Sequence, residues 1–111
     1  MQNRRQELRF AADLKVEMLV AGLKEVMSEV TANISQNGLF VCSSYEAKIG
    51  EIVHMRIILK DKNAYFEVKS KVMWTNREKT MPIGFGVKFI DLIEEQKMVI
   101  KRFLGGYTTP A

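Results

Sequence analysis

Apolar and polar side chains alternate with a period of two along five segments of this 111-residue chain, and a sixth segment, Leu39 to Cys42, is a short apolar run. Because successive side chains of a β-strand point to opposite faces of a sheet, this period predicts strands with one buried face. Polar residues between the apolar ones favour antiparallel pairing, since strands of parallel sheets are buried on both faces. The six predicted strands run from Leu14 to Val20, Val26 to Ala32, Leu39 to Cys42, Val53 to Leu59, Phe66 to Trp74 and Ile83 to Phe89.

Two side chains near strand ends are assigned to a face by the alternation alone. Thr31 follows Val30 and is predicted to lie on the polar face of the second strand. Trp74 falls in the same set as Val68 and Val72, which predicts packing in the core. It also lies near the end of its strand.

The period of the pattern changes after the sixth strand to that of a helix. An apolar face with helical spacing is formed by Leu92, Val99, Ile100 and Phe103. Asp91 followed by Glu94 resembles a capping box, and Gly105 is a natural end, so the pattern predicts a helix over residues 92–104. Six antiparallel strands and one helix predict a mainly β fold, a six-stranded antiparallel β-barrel with a C-terminal α-helix over one opening.

Composition excludes several classes of protein. Apolar residues make up 47% of the chain and charged residues 27%, which is typical of one globular domain and not of a disordered chain. Cys42 is the only cysteine, which excludes an internal disulfide or a multi-cysteine zinc site and favours a reducing, cytoplasmic location. The uncharged apolar stretch Met18–Leu23 is far short of the ~20 residues that span a bilayer, and no export signal is recognised.

Catalytic residues and metal ligands are not indicated. His54 is the only histidine and lies in the middle of a predicted strand, so no triad with a second base can be built. Cys42 lies in a short apolar strand, where a free cysteine is most often a buried structural residue. The carboxylates are spread along alternating strand faces, with no pair at catalytic spacing. The sequence therefore predicts a protein that is not an enzyme and has no metal and no cofactor.

Positive charge is concentrated at the N-terminus. The formal net charge is +4, and Arg4, Arg5 and Arg9, three of the six arginines, lie in the first nine residues with a single glutamate among them. Clustered arginine suits planar, bidentate recognition of phosphate or guanine, whereas a solvated terminus is the plain alternative. We predict a flexible arginine-rich arm over residues 1–10 and one folded domain over residues 11–111.

Two short motifs of polar side chains stand out. The first is Arg5-x-x-x-Arg9 before the first predicted strand, and the second is Asn33-x-Ser35-x-x-Gly38 after the second predicted strand. Each is weak alone, because the second could be an ordinary turn in which Asn33 and Ser35 bond backbone amides and Gly38 supplies a positive φ. Together they form a much more specific signal.

This combination resembles the PilZ domain family, bacterial receptors for the second messenger cyclic di-GMP. The hallmark of the family is RxxxR before the first strand and [D/N]xSxxG at a later strand junction, on a six-stranded β-barrel with a C-terminal helix. The resemblance covers essentially the whole chain, including a tryptophan-bearing strand at residues 72–74 and a glycine-rich strand at residues 84–89. The strands and helix predicted from periodicity agree with that fold.

The resemblance implies a role for each matching residue. Cyclic di-GMP carries two phosphates and two guanines, and the fork of an arginine matches both a phosphate and the O6/N7 edge of guanine. Asn33 would accept from the guanine donor edge, Ser35 would bond a base or a phosphate, and Gly38 would let the backbone approach the ligand. The predicted ligand-binding residues are Arg4, Arg5, Arg9, Asn33, Ser35, Gly38 and Trp74.

Two of these residues keep an alternative role. Arg4 directly precedes RxxxR, an arrangement that resembles family members binding a stacked pair of ligands instead of one, and a solvated residue is its alternative. Trp74 would lie beside the ligand as a stacking platform, worth roughly 1–3 kcal/mol per base, or else belong to the core.

The resemblance also implies a function. We expect a receptor or adaptor that orders its arm on binding cyclic di-GMP and signals to a downstream protein in motility, biofilm or exopolysaccharide control, with no DNA or RNA partner and no membrane insertion. One alternative is a PilZ-like module that binds only a protein. Another is a small basic barrel for single-stranded nucleic acid, with thin support because Lys69 and Lys71 flank only Tyr65 and Met73 on their face.

Overall fold

A computed structural model describes residues 10–11, 14–20, 27–59, 64–78 and 83–105 of the chain. These residues contain seven strands and one helix. The strands and the helix are β1 Phe10–Ala11, β2 Lys15–Val20, β3 Met27–Ile34, β4 Gly38–Cys42, β5 Ile52–Leu59, β6 Ala64–Asn76, β7 Gly84–Ile90 and α1 Glu94–Leu104. Strands β2 to β7 correspond to the six predicted strands, and the short β1 lies before them.

The strands close into a ring. They pair antiparallel in the order β1-β3-β2-β5-β6-β7-β4. A further pairing of β3 with β4 closes the six strands β2 to β7 into a ring. The short β1 pairs with β3 as well, Phe10 with Ile34 and Ala11 with Asn33. Closure removes the sheet edges, whose unpaired N–H and C=O groups would otherwise attract another strand. The predicted six-stranded antiparallel barrel with a C-terminal helix is confirmed.

The core lies inside this ring and under the helix. On β2, β5 and β7 every second side chain is buried, as the alternation predicts: Val16, Met18, Val53, Met55, Ile57, Phe85, Val87 and Phe89. The helix adds Ile100 and Leu104 to the same core, and the ring of Phe103 lies 6.2 Å from that of Phe66 on β6. The buried Ser70 hydroxyl donates to the Val53 carbonyl at 2.9 Å, so it is satisfied.

The helix begins two residues later than predicted, and the prediction of Asp91 as its N-terminal cap is wrong. Asp91 has a φ of 55°, in the left-handed region, at the end of β7. The cap residue is Ile93, whose N–H donates to Oε1 of Gln96 at 2.9 Å. Nε2 of Gln96 donates to the Glu67 carbonyl on β6 at 2.7 Å. One side chain therefore caps the helix and ties its first turn to the barrel.

Thr31 was predicted on the polar face of β3, and this is wrong. It is 2% exposed, and its hydroxyl accepts from the N–H of Leu14 at 3.1 Å. It pairs with Val41 on β4, whose side chain is in the core. The register between β3 and β4 shifts by one residue between Thr31 and Asn33. The alternation failed because this one-residue shift breaks the period of two within β3.

Trp74 was predicted to share the core face of Val68 and Val72, and this is wrong as well. The register between β6 and β7 shifts after Val72, so that Met73 is an extra residue and Trp74 pairs with Gly86. A bulge of one residue turns the following side chain to the other face. Trp74 is accordingly 47% exposed on the outside of the barrel, while Val68 and Val72 are buried.

The end of β6 that carries Trp74 is anchored to a loop after β4. The guanidinium of Arg77, three residues further on, donates through Nη1 to the Tyr45 carbonyl at 3.2 Å and through Nη2 to the Ser44 carbonyl at 3.1 Å. Nη1 also reaches the Ser43 carbonyl at 3.5 Å. These contacts hold the strand beyond its bulge, which fixes the position of the exposed indole.

Candidate ligand-binding face

Ser35 holds together the turn between β3 and β4. Its hydroxyl accepts from the N–H groups of Asn37 and Gly38, each at 3.2 Å, and donates to the Gly38 carbonyl at 3.3 Å. The Ser35 N–H donates to the same carbonyl at 2.8 Å. The residue is 0% exposed. In the NxSxxG motif, the serine therefore has a structural role in shaping the turn.

Gly38 is required by packing. Its φ is not positive, so the alternative that assigned it a left-handed conformation is wrong. A Cβ at this position would overlap the carbonyl oxygen of Val87 on β7. Gly38 pairs with Lys88 on that strand, and the absent side chain lets the two backbones approach.

Asn33 lies on the outer face of the barrel. It pairs with Phe40 on β4 and with Ala11 on β1. The residues that flank this pair, Ile34 and Leu39, are both fully buried in the core. Because paired residues of antiparallel strands point to the same face, Asn33, which is half-buried, and Phe40, which is buried under Trp74, both lie on the outer face.

A row of paired residues continues from Asn33 across the outside of the barrel. Phe40 pairs with Gly86 on β7, and Gly86 pairs with Trp74 on β6. The rings of Phe40 and Trp74 are stacked, with centroids 5.0 Å apart and planes 30° apart. A Cβ on Gly86 would overlap the indole, so this glycine is what lets the indole lie against the sheet. We call Phe40, Gly86 and Trp74 the aromatic platform.

The platform has one covered ring and one exposed ring. Phe40 is 4% exposed, whereas Trp74 is 47% exposed. The sequence predicts Trp74 as a site residue but not Phe40 or Gly86. A signal for both was present, because Phe40 is apolar on a face that alternation predicts to be polar, and Gly86 has no side chain on the corresponding face of the sixth predicted strand.

The three predicted arginines, Arg4, Arg5 and Arg9, lie outside the described residues. The described chain begins with Phe10, which follows Arg9 directly and pairs with Ile34 of β3. The segment that carries RxxxR therefore leads straight into a strand that pairs with the strand carrying Asn33.

The described ranges contain neither a candidate metal cluster nor a helix that could span a membrane. No group of three histidine, cysteine, aspartate or glutamate side chains there could hold a metal ion. No helix in the same part of the chain is long and apolar enough to cross a membrane.

Comparison with known families identifies the class of this chain. The model of the PilZ domain matches residues 3–106, which include both motifs and the aromatic platform. The chain belongs to the PilZ domain family, and the resemblance noted from the two motifs is confirmed. A comparison with curated proteins gives no significant match.

Solved structures share this fold at low sequence identity. The PilZ domain of YcgR from Escherichia coli, solved with c-di-GMP, is 10% identical with a TM-score of 0.76, covering 95% of this chain and 92% of that one. The PilZ domain of CeSA from a cellulose-synthesizing bacterium is 22% identical with a TM-score of 0.67, covering 88% and 95%. The Bacillus subtilis inhibitor of motility (MotI/DgrA) is 17% identical with a TM-score of 0.72, over 94% of this chain. This chain spans 51% of that protein, about half of its length.

The hydrogen bonds of Ser35 predict the effect of its removal. We expect Ser35→Ala to lower the free energy of unfolding by about 1–3 kcal/mol, because the buried N–H of Gly38 loses its acceptor. Urea denaturation measures the change. Ser44→Ala, at an exposed serine in the next loop, is the matched control and should shift stability by less than about 0.5 kcal/mol. Equal stability of Ser35→Ala and the wild type would contradict the assigned role.

The platform predicts that Gly86→Ala displaces the indole. Because Trp74 is the only tryptophan, its fluorescence and near-ultraviolet circular dichroism report on this one ring. We expect a red-shifted emission and a weaker near-ultraviolet signal, with the far-ultraviolet spectrum of the barrel retained. Gly105→Ala is the control, since Gly105 has an ordinary helical φ of −61°. An unchanged indole signal in folded Gly86→Ala would refute the platform.

Proposed function

We propose that this chain is a receptor for cyclic di-GMP that binds the ligand on the outer face of β3, β4, β7 and β6. The observation that carries the proposal is the row formed by Asn33, Phe40, Gly86 and Trp74, beside the strand that follows the RxxxR segment. Two kinds of group converge there, a polar amide and an exposed aromatic ring. The c-di-GMP bound to the related PilZ domain of YcgR supports the choice of ligand.

In this proposal Trp74 and Asn33 recognise guanine. One side of the indole lies against Gly86 and near the ring of Phe40, which leaves exposed area on the indole for a base. Stacking of a base on an aromatic ring is worth roughly 1–3 kcal/mol and needs no particular base. The amide oxygen of Asn33 would accept from N1–H or N2–H₂ of guanine and so supply the specificity that stacking lacks.

Ser35 and Gly38 have an indirect part in the proposal. The Ser35 hydroxyl bonds Asn37 and Gly38 within its own turn, and the residue is fully buried. A direct bond to a base or phosphate would require this hydroxyl to leave buried partners, at about 1–3 kcal/mol for each group left unsatisfied. We therefore propose that both residues support binding by fixing the turn beside Asn33.

Arg5 and Arg9 are proposed to clamp the phosphates or a guanine edge and to order the arm as they do so. Two bidentate arginines would make four charge-assisted hydrogen bonds, together about 6–12 kcal/mol. Ordering the five residues from Arg5 to Arg9 costs about 5–10 kcal/mol of backbone entropy. The bonds of both arginines together are therefore about enough to offset the entropy lost on ordering. The bonds of one arginine would not be, so ordering of the arm requires both.

Arg4 is relevant to the number of cyclic di-GMP molecules bound per chain. A stacked pair of cyclic di-GMP molecules would carry four phosphates, and a third arginine next to RxxxR would help to neutralise them. We propose binding as a pair, and a calorimetric titration that reports one ligand per chain would contradict it.

As a regulator, the chain is proposed to act through a downstream protein that reads the surface created by the ordered arm. Control of motility or of exopolysaccharide is the process favoured by the related inhibitor of motility and by the PilZ domain of the cellulose-synthesizing bacterium. A cytoplasmic location and the absence of DNA or RNA partners remain predictions from the sequence. A chain that fails to bind cyclic di-GMP would instead be a PilZ-like module for protein contacts.

The proposed clamp predicts that Arg5 and Arg9 are each required for binding of cyclic di-GMP. Arg5→Ala and Arg9→Ala should each weaken cyclic di-GMP binding at least about 100-fold, because two charge-assisted bonds are lost and the arm is no longer ordered. Isothermal titration calorimetry measures the affinity, and circular dichroism checks that the barrel is intact. Arg102→Ala, at an exposed arginine in the last turn of α1, should bind like the wild type. Wild-type affinity in both arm variants would refute the clamp.

The assignment of Asn33 to the guanine edge predicts the effect of a carboxylate. Asn33→Asp should tighten binding about fivefold, since hydrogen bonds to a charged acceptor are about 1 kcal/mol stronger than those to a neutral one. Asn37→Asp adds the same charge at an exposed position of the same turn and should not tighten binding. Equal responses of the two variants in calorimetry would show that Asn33 does not read the base.

A further inference from the structure

Two lysines face each other on the outside of the barrel. Lys71 on β6 pairs with Lys88 on β7, and both side chains are exposed. The Cα atoms of directly paired residues in antiparallel strands lie about 4.5–5.5 Å apart. Like charges at such positions destabilise a sheet. The fold therefore carries an unfavourable contact that invites a functional explanation.

Acidic groups do not compensate this pair within the described part of the chain. The residues paired with the two lysines on their other sides are Ile52 and Gly38, which are neutral. The nearest acids along the strands are engaged elsewhere. Asp91 binds Lys69 at 3.2 Å, and Glu51 accepts from the Tyr45 hydroxyl at 2.6 Å and the Lys48 N–H at 2.9 Å.

The lysine pair, Lys71 and Lys88, flanks the aromatic platform. On β7, Lys88 lies two residues from Gly86, and on β4 its paired residue Gly38 lies two residues from Phe40. Two residues of a strand span about 6.5–7 Å and return to the same face. The row of the lysine pair is thus adjacent to the row of Asn33 and Trp74, and both rows lie on the outer surface of the barrel.

We propose that Lys71 and Lys88 form a phosphate subsite for the ligand whose guanine stacks on Trp74. This inference rests on the proposed function and adds residues that neither sequence motif contains. An anionic phosphodiester between the two ammonium groups converts their repulsion into two favourable charge contacts. Lysine suits this task because it binds phosphate as a point charge on a flexible stem, with no need for the fixed geometry of an arginine fork.

The test is calorimetric titration of the full chain with cyclic di-GMP over a range of salt concentrations. Lys71→Gln and Lys88→Gln should each weaken binding about tenfold, the loss expected for one charge-assisted contact. Each should also reduce the slope of log affinity against log salt by roughly one. Lys69→Gln is the matched control, since it removes the same charge from the same strand and face but at a lysine paired with Asp91. It should change affinity less than twofold.

The stability of the ligand-free variants separates this role from a structural one. Removing a like-charge contact should leave the melting temperature of the Lys71→Gln, Lys88→Gln double variant unchanged or raised. A wild type that binds and a folded double variant with the same affinity and salt slope would overturn the subsite while leaving the receptor intact. A wild type that shows no binding of cyclic di-GMP would overturn the proposed function and this inference together.

Discussion

Strand β3 is the element on which both the barrel and the candidate site depend. It pairs with β2 along its first half and with β4 along its second, and these two pairings close the ring. Its last two residues also pair with β1, the strand that follows the arginine segment. Without closure the sheet would have two open edges, and Asn33 and Phe40 would not be paired. The same backbone hydrogen bonds therefore build the fold and place β1 beside the strand that carries Asn33.

The second determinant is a one-residue bulge in β6. It lies between Val72 and Trp74 and moves the indole from the inside of the barrel to the outside. Gly86 makes the new position possible, since any side chain there would overlap the indole. Bulges occur often next to binding sites because they redirect a side chain without altering the rest of the sheet. The barrel thus exposes a large aromatic ring while its core remains filled.

Two features of this face are unfavourable for the ligand-free barrel. The paired Lys71 and Lys88 repel each other, and the exposed Trp74 leaves apolar surface in water. Neither arrangement helps the ligand-free barrel. Ser35 is the opposite case, because its hydroxyl accepts two backbone N–H groups and so stabilises the turn. The proposed ligand, with its flat guanines and two phosphates, would offset both of these unfavourable features.

The sequence alone determined the six strands, the helix that ends at Leu104, and the family, because periodicity and motif spacing are local properties. The tertiary structure decided which face Thr31 and Trp74 occupy, since each follows from a register shift between strands that no local pattern records. It also decided that Gly38 serves close packing against β7. Side-chain alternation predicts a face only while the register is unbroken, and the register is set by residues far apart in the chain.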